Sequence, residues 1–563
     1  MPFRKYLLFI AVICVLPAYA ITIRPEDGES LQLTIRRARN MHRLGERSTI
    51  RIELGKRIYR LSKPLRLYPE DSHLIIFGNG AEIRGSVPVK GWRQEGRFLV
   101  ADAPMQGNRP LQIRQLWING EKAERASQFG LYKMDRLIDF DPVDRTVTIP
   151  TPKNYALLKN APQLEMIVHQ RWAIAILRVA SMEEQAGKTI VRFCEPEASL
   201  EFEHPWPQPI INGEYGSSSY CLSNALALAD EPGEWYQDAA SGKIYYYPKT
   251  GQTAANIEVE APVTEQLVEL CGSAAARVEN VSFRGICFSY SAWNRPSVSG
   301  HVTLQGGFPL TEAYKLEKEG LPWNDRLENQ AWTERPVAAV STNYGRNVTF
   351  ENCKFTHLSA TALDFPIGNR RIRVNSCNFQ DIGGTALMAG SFAEGATEVH
   401  RPYRVSADEE EYSDSISFCN NNINDVTNED WGAVGIGCGY VRNTEISGND
   451  VSDVNYSGIC IGWGWTTDAC GMRNNRIINN RVTRYAKMLY DAGGIYTLSY
   501  QPDSEISGNV VSEPSKAPYA TNNRAFKLYL DDSSDGFLIK NNNFTKDEIG
   551  TNHPGTHIIY ETN

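Results

Sequence analysis

A short pattern of apolar and polar positions recurs along the second half of the chain. Each copy places apolar residues on alternate positions, continues with two or three polar residues, and ends with Asn or Cys, one further residue and another apolar one. The copies are Val348–Phe355, Ile372–Phe379, Ile416–Ile423, Glu445–Val451, Ile477–Val482, Ile506–Val511 and Leu538–Phe544. Their Asn or Cys positions are 24, 44, 28, 31, 29 and 33 residues apart. A repeat of this length indicates a solenoid, in which each unit packs on its neighbours.

A second apolar segment follows each copy, as at Ile459–Ile461, Ile495–Thr497 and Leu528–Leu530. These segments alternate and are bounded by turns rich in Asn, Gly, Asp and Ser, which predicts short β-strands. No unit is long enough for a crossover helix, so its strands can bury their inner face only by stacking in parallel on the next unit. The pattern therefore predicts an all-β fold, a right-handed parallel β-helix of the pectin-lyase-like solenoid type.

The recurring Asn position has a structural interpretation. Asparagines stacked at one turn can bond their side-chain amides along the solenoid axis, which supplies hydrogen bonds inside a narrow coil. We predict such a ladder, with Cys353 and Cys377 in the same column. The spacing of 44 residues is one coil plus an insertion over Glu394–Asp414.

Two segments break the solenoid rhythm. Residues 29–42 place apolar residues opposite a row of arginines and predict a short amphipathic helix that caps the open end of the solenoid. Its apolar positions are Leu31, Leu33, Ile35 and Ala38. Between about residues 91 and 261, longer alternating runs at Gln112–Ile118, Thr146–Ile149 and Lys243–Tyr247 predict an inserted β-sandwich domain beside the β-helix.

The first residues have the features of an export signal. Arg4 and Lys5 precede an apolar stretch from Tyr6 to Leu16, and Ala18-Tyr19-Ala20 supplies the small-residue cleavage motif. The stretch is shorter than the roughly 20 residues that span a bilayer. We therefore expect an exported protein, periplasmic or extracellular. The expected domains are the signal peptide at 1–20, the cap and first coils at 21–90, the inserted domain at 91–261 and the main β-helix with a catalytic groove at 262–563.

Charge and motifs narrow the range of functions. The chain has 58 Lys and Arg against 66 Asp and Glu, a net charge of −8, and it has no basic block. Nucleic acid and anionic membrane surfaces are therefore not expected partners. The nine histidines form no metal-binding motif and no Gly-rich phosphate loop is present, so we expect neither a metal nor a cofactor.

Carboxylates cluster at the ends of two consecutive strand segments. Asp491 precedes a Gly pair that is expected to leave room for a ligand, and Asp531 and Asp532 close the next segment. If Leu530 faces the core, alternation directs Asp531 outward. Adjacent coils are about 4.8 Å apart, so Asp491 can approach this pair to the roughly 5–9.5 Å that separates the two carboxyls of a glycoside hydrolase. The sequence leaves open which acid is the proton donor.

Aromatic and polar side chains accompany these acids. Exposed indole and phenol rings present flat apolar faces with a polar edge, which suits the faces of sugar rings. The predicted substrate-binding residues are Trp431, Trp463, Trp465, Tyr456, Tyr496, Tyr529, Asn455, Glu429 and Asp430. We expect Asp430, Asn455 and Asp491 to form one wall of a groove, with Asp430 or Glu429 as a reserve catalytic carboxylate. The expected partner is a carbohydrate polymer or oligosaccharide, bound by a monomer without membrane insertion.

Several motifs of the chain resemble those of one enzyme family. They include Ile113–Gly120, His169–Trp172, Glu234–Tyr236, Tyr245–Pro248, Ile461–Trp465, Asp491–Thr497 and Tyr529–Asp532. Together they are similar to glycoside hydrolase family 141 over nearly the whole mature chain. The resemblance implies exported right-handed β-helix enzymes with a β-sandwich insertion that hydrolyse plant cell-wall glycans, as α-L-fucosidases on complex pectin or as xylanases. It also implies a catalytic pair of aspartates, which falls on Asp491 and Asp532 with Asp531 as the close second.

Two other functions are compatible with the same scaffold. A polysaccharide lyase or epimerase needs acids that bind calcium and an Arg, Lys or His base on the outer sheet, whereas the nearest basic residues, Arg484, Lys487 and Arg524, are predicted in turns. A non-catalytic glycan-binding β-helix protein needs only the aromatic surface. Our prediction is an exported glycoside hydrolase that acts on a plant cell-wall polysaccharide or oligosaccharide, either a pectin side chain such as an α-L-fucoside or xylan.

Overall fold

The computed structural model describes residues 21–130, 132–204, 207–313, 333–392, 410–467, 469–515, 517–522 and 524–561, with the backbone of a hairpin formed by Lys315–Leu316 and Leu327–Glu328. The predicted signal peptide at residues 1–20 lies outside the described residues. Most of the insertion predicted at residues 394–414 lies outside them as well.

Three long parallel sheets form the walls of a right-handed β-helix, which confirms the predicted fold class. In each coil the chain passes from sheet 1 to sheet 2 to sheet 3 and then enters sheet 1 of the next coil. Sheet 1 contains Ile21–Ile23, Ile50–Glu53, Leu74–Phe77, Val278–Arg284, Gly345–Glu351, Arg370–Asn375, Ser413–Cys419, Val441–Arg442, Glu445–Ser447, Arg476–Ile478, Tyr500–Ser507, Asp535–Lys540 and Ile559–Glu561. Sheet 2 contains Ile58–Arg60, Glu82–Arg84, Cys287–Ser291, Lys354–Leu358, Asn378–Ile382, Asn422–Val426, Asp450–Val454, Arg481–Thr483 and Val510–Ser512. Sheet 3 contains Leu65–Leu67, Val268–Cys271, Ala338–Asn343, Thr361–Phe365, Leu387–Ala389, Ile436–Cys438, Ile459–Ile461, Ala492–Thr497, Ala525–Leu530 and Ile549–Thr551.

The interior of the solenoid is a column of like side chains. Phe283 pairs in register with Phe350 in sheet 1, and their rings stack at 4.9 Å. Phe355 pairs with Phe379 in sheet 2, and these rings stack at 4.6 Å. Because the coils above and below cover each inward position, the core is continuous along the axis.

Buried asparagines hold the turn between sheets 1 and 2, which confirms the predicted ladder. The ladder contains Asn421, Asn449, Asn480, Asn509 and Asn542. Asn480 is typical: its Nδ2 donates to Asn509 Oδ1 at 3.0 Å and to Ile446 O at 2.8 Å. Its Oδ1 accepts from the main-chain N of Asn449 at 3.0 Å. Cys377 occupies the preceding place and donates its main-chain N–H to Asn421 Oδ1 at 3.0 Å.

A helix covers the open N-terminal end of the solenoid. It spans Leu31–Arg43, and Ser30 caps it by accepting a hydrogen bond from the N–H of Leu33 at 3.3 Å. Leu31, Ile35 and Ala38 are buried, because a spacing of four and then three residues keeps them on one face. Leu33, which we predicted on that face, is 48% exposed because it lies two residues from Leu31. Within the described residues, no helix has both the length and the apolar character needed to cross a bilayer.

The remaining helices are short. The α-helices are Tyr155–Leu158, Glu197–Glu203 and Arg295–Ser299, and the 3₁₀-helices are Pro69–Asp71, Leu226–Leu228 and Lys546–Glu548. Glu197 of the second α-helix is fully buried and accepts hydrogen bonds from Arg178 at 2.7 and 2.8 Å. Because these helices have only three to seven residues, strands form most of the regular structure.

Mainly antiparallel sheets lie between the first solenoid coils and the later ones, with one parallel pair between Glu124–Arg125 and Glu234–Gln237. One sheet contains Arg93–Glu95, Phe98–Asp102, Glu124–Arg125, Glu234–Gln237 and Lys243–Tyr246. A larger one contains Asp135–Arg136, Asp139–Asp141, Thr146–Pro150, Glu165–Gln170, Ala173–Gln185, Lys188–Phe193, Ser219–Ser223 and His301–Val302. Two small sheets contain Ser86–Pro88, Trp117–Ile118, Glu121–Lys122 and Val259–Pro262, and Met105–Gln106 with Arg109–Pro110. The solenoid strands on both sides of this insertion pair directly with each other, as Leu74–Phe77 does with Val278–Arg284.

One predicted strand is shorter than its sequence pattern. The alternating run Gln112–Ile118 is a regular strand only at Trp117–Ile118. The reason is that the main-chain N–H of Ile113 donates to the side chain of Gln237, at 2.8 Å, instead of to a neighbouring strand. Apolar alternation alone does not distinguish these two kinds of partner.

The inserted domain packs on the outer face of sheet 3. An apolar cluster joins Met166 and Leu177 of the inserted domain to Met388, Tyr496 and Tyr529 of the solenoid. Ile495 and Leu528, which precede Tyr496 and Tyr529 in the chain, point inward and belong to the solenoid core. Sheet 3 therefore has protein on both faces, and any site on its outer face lies against the inserted domain.

We predict that Asn480→Ala lowers the free energy of unfolding by about 2–4 kcal/mol. The change removes the side-chain partner of two buried main-chain groups, Ile446 O and Asn449 N. Asn422→Ala is the matched control: Asn422 is exposed, and its Nδ2 donates to Asn378 Oδ1 at 2.8 Å. We expect the control to change the free energy of unfolding by less than about 0.5 kcal/mol. Urea unfolding followed by tryptophan fluorescence measures the free energy of unfolding of both variants. Equal changes in the two would contradict a stabilising role of the asparagine ladder.

Candidate active site

Three buried tyrosines form a cluster on the outer face of sheet 3. Tyr496 and Tyr529 are in register on adjacent strands, and their rings meet edge to face at 5.4 Å. Gln305 Nε2 donates to Tyr496 Oη at 2.8 Å and to Tyr456 Oη at 3.3 Å. Burial raises the pKa of all three phenols, and nearby carboxylate charge raises it further. Each hydroxyl therefore keeps its proton and can donate a hydrogen bond.

Asp491 lies directly before the strand Ala492–Thr497, in the left-handed region with φ of 59°. Its Oδ1 accepts a hydrogen bond from Tyr529 Oη at 3.1 Å and lies 3.3 Å from Arg524 Nε. Burial raises the pKa of Asp491; the positive charge of Arg524 opposes the rise, and the negative charge of Asp531 adds to it. Two donors thus anchor the same oxygen of this carboxyl.

The Gly pair that follows Asp491 makes room for protein atoms. A Cβ on Gly493 would lie 3.0 Å from Tyr529 Cβ, and one on Gly494 would lie 2.3 Å from Val511 Cγ1. The expectation that these glycines leave room for a ligand is therefore wrong, because adjacent coils fill the space. Their absent side chains allow the coils to approach closely at the position of Asp491.

Asp531 and Asp532 follow the next strand of sheet 3 and have different partners. Asp531 Oδ2 accepts a hydrogen bond from Tyr496 Oη, and Asp531 Oδ1 accepts one from Asn552 Nδ2 at 2.8 Å. Asp532 Oδ1 accepts a hydrogen bond from Ser533 Oγ at 3.2 Å. Burial raises the pKa of Asp532; the Ser533 hydrogen bond opposes the rise, and the charge of Asp531 adds to it.

The structure brings Asp491 and Asp531 to one tyrosine cluster. Tyr529 bonds Asp491, Tyr496 bonds Asp531, and the two tyrosine rings contact each other. Asp532 is half-buried directly after Asp531. Within the described residues, no group of three or more His, Cys, Asp or Glu side chains is arranged to hold a metal ion.

A hairpin of the inserted domain reaches the residue before Asp491. The carbonyl of Arg171 accepts a hydrogen bond from the N–H of Tyr490 at 3.2 Å. His169 donates from Nε2 to Met488 O at 2.8 Å, and its ring stacks on Tyr490 at 5.8 Å. The positive charge of Arg171 also opposes the rise in the pKa of Asp491. The inserted domain therefore contributes to the position and charge of this acid.

The predicted aromatic residues differ in their exposure. Trp463 is 3% exposed and packs on Phe308 at 5.4 Å, and Trp431 is 6% exposed and packs on Tyr132 at 5.5 Å. Trp465 is partly exposed, with its ring 4.7 Å from that of Trp463. Of the three indoles, Trp465 retains the most surface for contact with a sugar.

A small pocket of about 30 Å³ lies beside Tyr496 and Tyr456. Its apolar wall includes Phe308 and Trp463, and Gln305 provides an amide. The indole Nε1 of Trp463 is buried and has no hydrogen-bond partner among the residues that the structure describes. A buried N–H of this kind is suited to an acceptor oxygen of a ligand, because leaving it unpaired costs free energy.

The reserve acids and Asn455 are held by other contacts. Glu429 forms an ion pair with Lys122 of the inserted domain at 2.7 Å. Asp430 is buried, and its Oδ2 lies 3.0 Å from His301 Nε2. Asn455 is buried and donates from Nδ2 to a main-chain carbonyl of the preceding coil at 2.8 Å. These three side chains are thus engaged in contacts within the protein.

Four residues around the acids were not predicted as site residues. They are Arg171, Gln305, Arg524 and Asn552. A signal existed for Arg524, since it precedes Ala525, the residue that pairs with Ala492 immediately after Asp491. The other three reach the site from the inserted domain, a loop and the C-terminal region, where the repeat gives no register to place them.

Comparisons with known proteins agree with this architecture. A family model described as the GH141 insertion domain matches residues 96–249. A solved structure named "Glycoside hydrolase" is 35% identical, covers 97% of this chain and 96% of its own, and has a TM-score of 0.91. The chain belongs to glycoside hydrolase family 141. It is therefore a glycosidase, and the prediction of a hydrolase is confirmed at that level.

Other solved structures resemble this family 141 enzyme more weakly. The complex structure of XylC with xylose is 11% identical, covers 92% of this chain and 68% of its own, and has a TM-score of 0.43. The A-module of the Azotobacter vinelandii mannuronan C-5 epimerase AlgE6 is 12% identical, covers 53% and 76% of the two chains, and has a TM-score of 0.29. No curated protein sequence matches the chain significantly.

We predict that His169 makes the stability of this glycosidase depend on pH. Burial lowers the pKa of His169 from 6.5 to about 4. As the pH falls below 6.5, His169 becomes protonated in the unfolded chain but stays neutral in the folded protein. The free energy of unfolding therefore decreases between pH 6.5 and 4, by up to about 3 kcal/mol. His169→Gln retains a donor for Met488 O and should remove this part of the loss. Urea unfolding at several pH values measures it, and parallel pH profiles for both proteins would contradict the prediction.

Proposed function

We propose that this family 141 enzyme hydrolyses a glycosidic bond of a plant cell-wall polysaccharide or oligosaccharide, either a pectin side chain such as an α-L-fucoside or xylan. The observation that carries the proposal is the convergence of Asp491 and Asp531 on one tyrosine cluster, with Asp532 next to Asp531 in the chain. Two carboxyl groups with different protonation are what glycoside hydrolysis requires.

Asp491 is the ionised member of the proposed pair. Tyr529 and Arg524 hold Oδ1, and Arg524 and Arg171 supply positive charge. Burial and the charge of Asp531 raise the pKa of Asp491, and these contacts limit that rise and stabilise the carboxylate. Oδ2 then acts as a nucleophile on the anomeric carbon or as a base on an attacking water.

Asp532 is the proposed proton donor. Its protonated form is favoured because burial and the negative charge of Asp531 raise its pKa. The proton passes to the glycosidic oxygen as the bond from that oxygen to the anomeric carbon breaks, so the leaving sugar departs as a neutral alcohol. Asp531, which is bonded at both oxygens by Tyr496 and Asn552, positions this segment and maintains the charge beside Asp532.

The sugar is bound by the polar edge of the tyrosine cluster. Gln305 links Tyr456 to Tyr496, which fixes the direction of their hydroxyl groups. The pocket beside them presents apolar side chains and the unpartnered Nε1 of Trp463. We also propose that the enzyme is exported to the periplasm or the medium, where such polysaccharides are encountered; the N-terminal export signal supports this location.

Substitution of the two acids tests the function. Asp491→Asn and Asp532→Asn should each reduce the rate of hydrolysis of a cell-wall glycan or aryl glycoside by about 10²-fold or more, as for loss of an essential acid or base. Asp503→Asn is the matched control, because Asp503 is exposed and, like Asp491, has φ of 59°. Asn tolerates that conformation. Retention of more than about a tenth of the wild-type rate by both site variants would refute the catalytic assignment.

The leaving group distinguishes the two roles. The leaving group of a dinitrophenyl glycoside is a dinitrophenolate anion, which needs no proton. Asp532→Asn should therefore regain most of its activity on this substrate relative to an unactivated glycoside. Asp491→Asn should remain slow on both, because attack at the anomeric carbon is lost. Steady-state kinetics with the two substrates measures the ratio. The opposite pattern would exchange the roles, and full recovery of both variants would contradict a carboxylate at position 491 in the attack.

A further inference from the structure

A second cleft lies between the inserted domain and sheet 2. Its cavity volume is about 510 Å³, against about 30 Å³ for the pocket beside Tyr496. Within the described part of the chain, none of the three aspartates or the tyrosine cluster lines it. Clefts at domain interfaces are common ligand sites, and this one is separate from the site proposed for hydrolysis.

The solenoid wall of the cleft is a column of polar side chains. His357, Asp381 and Asp425 occupy matching places on consecutive coils, with φ of 57°, 55° and 53°. The left-handed conformation turns each residue out of the regular strand pattern. Gln380 is exposed on the same wall. The repeat therefore presents hydrogen-bonding groups at intervals of one coil, about 4.8 Å.

Asp381 is a rigid acceptor in the centre of this wall. Its Oδ2 accepts from Trp117 Nε1 at 2.8 Å and lies 2.7 Å from His357 Nδ1, and its Oδ1 accepts from Asn428 Nδ2 at 2.9 Å. Burial would raise its pKa, but the hydrogen bond from His357 and the charge of Lys122 lower it to about 2. The wall is thus fixed in place before a ligand arrives, which limits the entropy lost on binding.

Five cations and five carboxylates of the described residues line the cleft, and three of the cations have carboxylate partners. Lys122 lies 2.7 Å from Glu429 Oε1. Arg114 lies 2.8 Å from Glu165 Oε1, and Arg125 lies 3.4 Å from the same oxygen. A site for an anionic ligand needs cations whose charge is still available. Because the positive and negative groups of the lining are equal in number, the cleft favours a ligand with hydroxyl groups and no net charge.

The inserted domain supplies the other wall. Tyr132 is partly buried and contacts the ring of Trp431, and both line the cleft. Glu124 and Ser127 bond each other at 3.1 Å and also line it. Aromatic rings together with hydroxyl, amide and carboxyl groups are the combination that recognises a polyhydroxylated ligand.

We propose that this cleft is a second glycan-binding site, which holds a neutral segment of the polysaccharide away from the site of hydrolysis. The proposal rests on membership of a glycosidase family and does not depend on the roles given to Asp491 and Asp532. Its effect is to raise the local concentration of polymer at the enzyme. It predicts no effect on small substrates.

Binding measured without turnover tests the second site. The probes are arabinoxylan and xyloglucan as neutral polymers and polygalacturonate as the acidic one, in affinity gel electrophoresis with the full-length enzyme. In an Asp491→Asn background, the double change Gln380→Ala and Glu124→Gln should weaken binding of a neutral polymer about tenfold, the effect of losing about 1.4 kcal/mol. Asn422→Ala, exposed on the same sheet and outside the cleft, should bind like the background.

Kinetics separate this proposal from the proposed function. In the otherwise unchanged enzyme, the double change should leave kcat on a soluble aryl glycoside as it is and reduce kcat/KM on the neutral polymer. Neutral-polymer binding equal to the Asn422→Ala control would overturn the second site, and retardation by polygalacturonate alone would overturn its neutral ligand. Failure of the Asp491 and Asp532 assignments would change hydrolysis but not this binding result.

Discussion

In-register stacking of the coils is the constraint on which the rest of the structure depends. Each parallel strand pair places a residue over the same position of the next coil, both in the core and at the turns. The asparagine ladder fixes that register at one corner, since each amide bonds the next amide and the main chain. A shift by one residue would expose the core and break every step of the ladder. The same register brings Tyr496 beside Tyr529, and so brings their two aspartate partners to one cluster.

The inserted domain changes what the solenoid surface can bind. A bare parallel sheet offers a flat face, whereas here protein covers sheet 3 and borders sheet 2. The hairpin at Arg171 contacts the residue before Asp491, and Lys122 ties the same domain to Glu429. One domain therefore shapes both the tyrosine site and the second cleft. Its position couples the acidity of Asp491 to contacts far away in sequence.

The repeat allowed the solenoid to be predicted, because an asparagine every coil has a direct meaning in hydrogen bonds. Asp491 and Asp531 could be placed on one face for the same reason: register and alternation determine both. Exposure was harder to infer, and Trp463 is buried because Phe308 from a separate loop covers it. Arg171, Gln305 and Asn552 could not be placed at all. These side chains reach the acids from non-repeating segments, and the packing of such segments cannot be predicted from a repeat in the sequence.

The central claim is that coil stacking assembles one hydrolytic site at Asp491 and Asp532. A crystal structure of Asp491→Asn with an intact oligosaccharide substrate tests it most directly. The account predicts the scissile oxygen within hydrogen-bonding distance of the Asp532 carboxyl, with the anomeric carbon facing residue 491. An intact substrate whose scissile bond lies anywhere other than between these two side chains would contradict it.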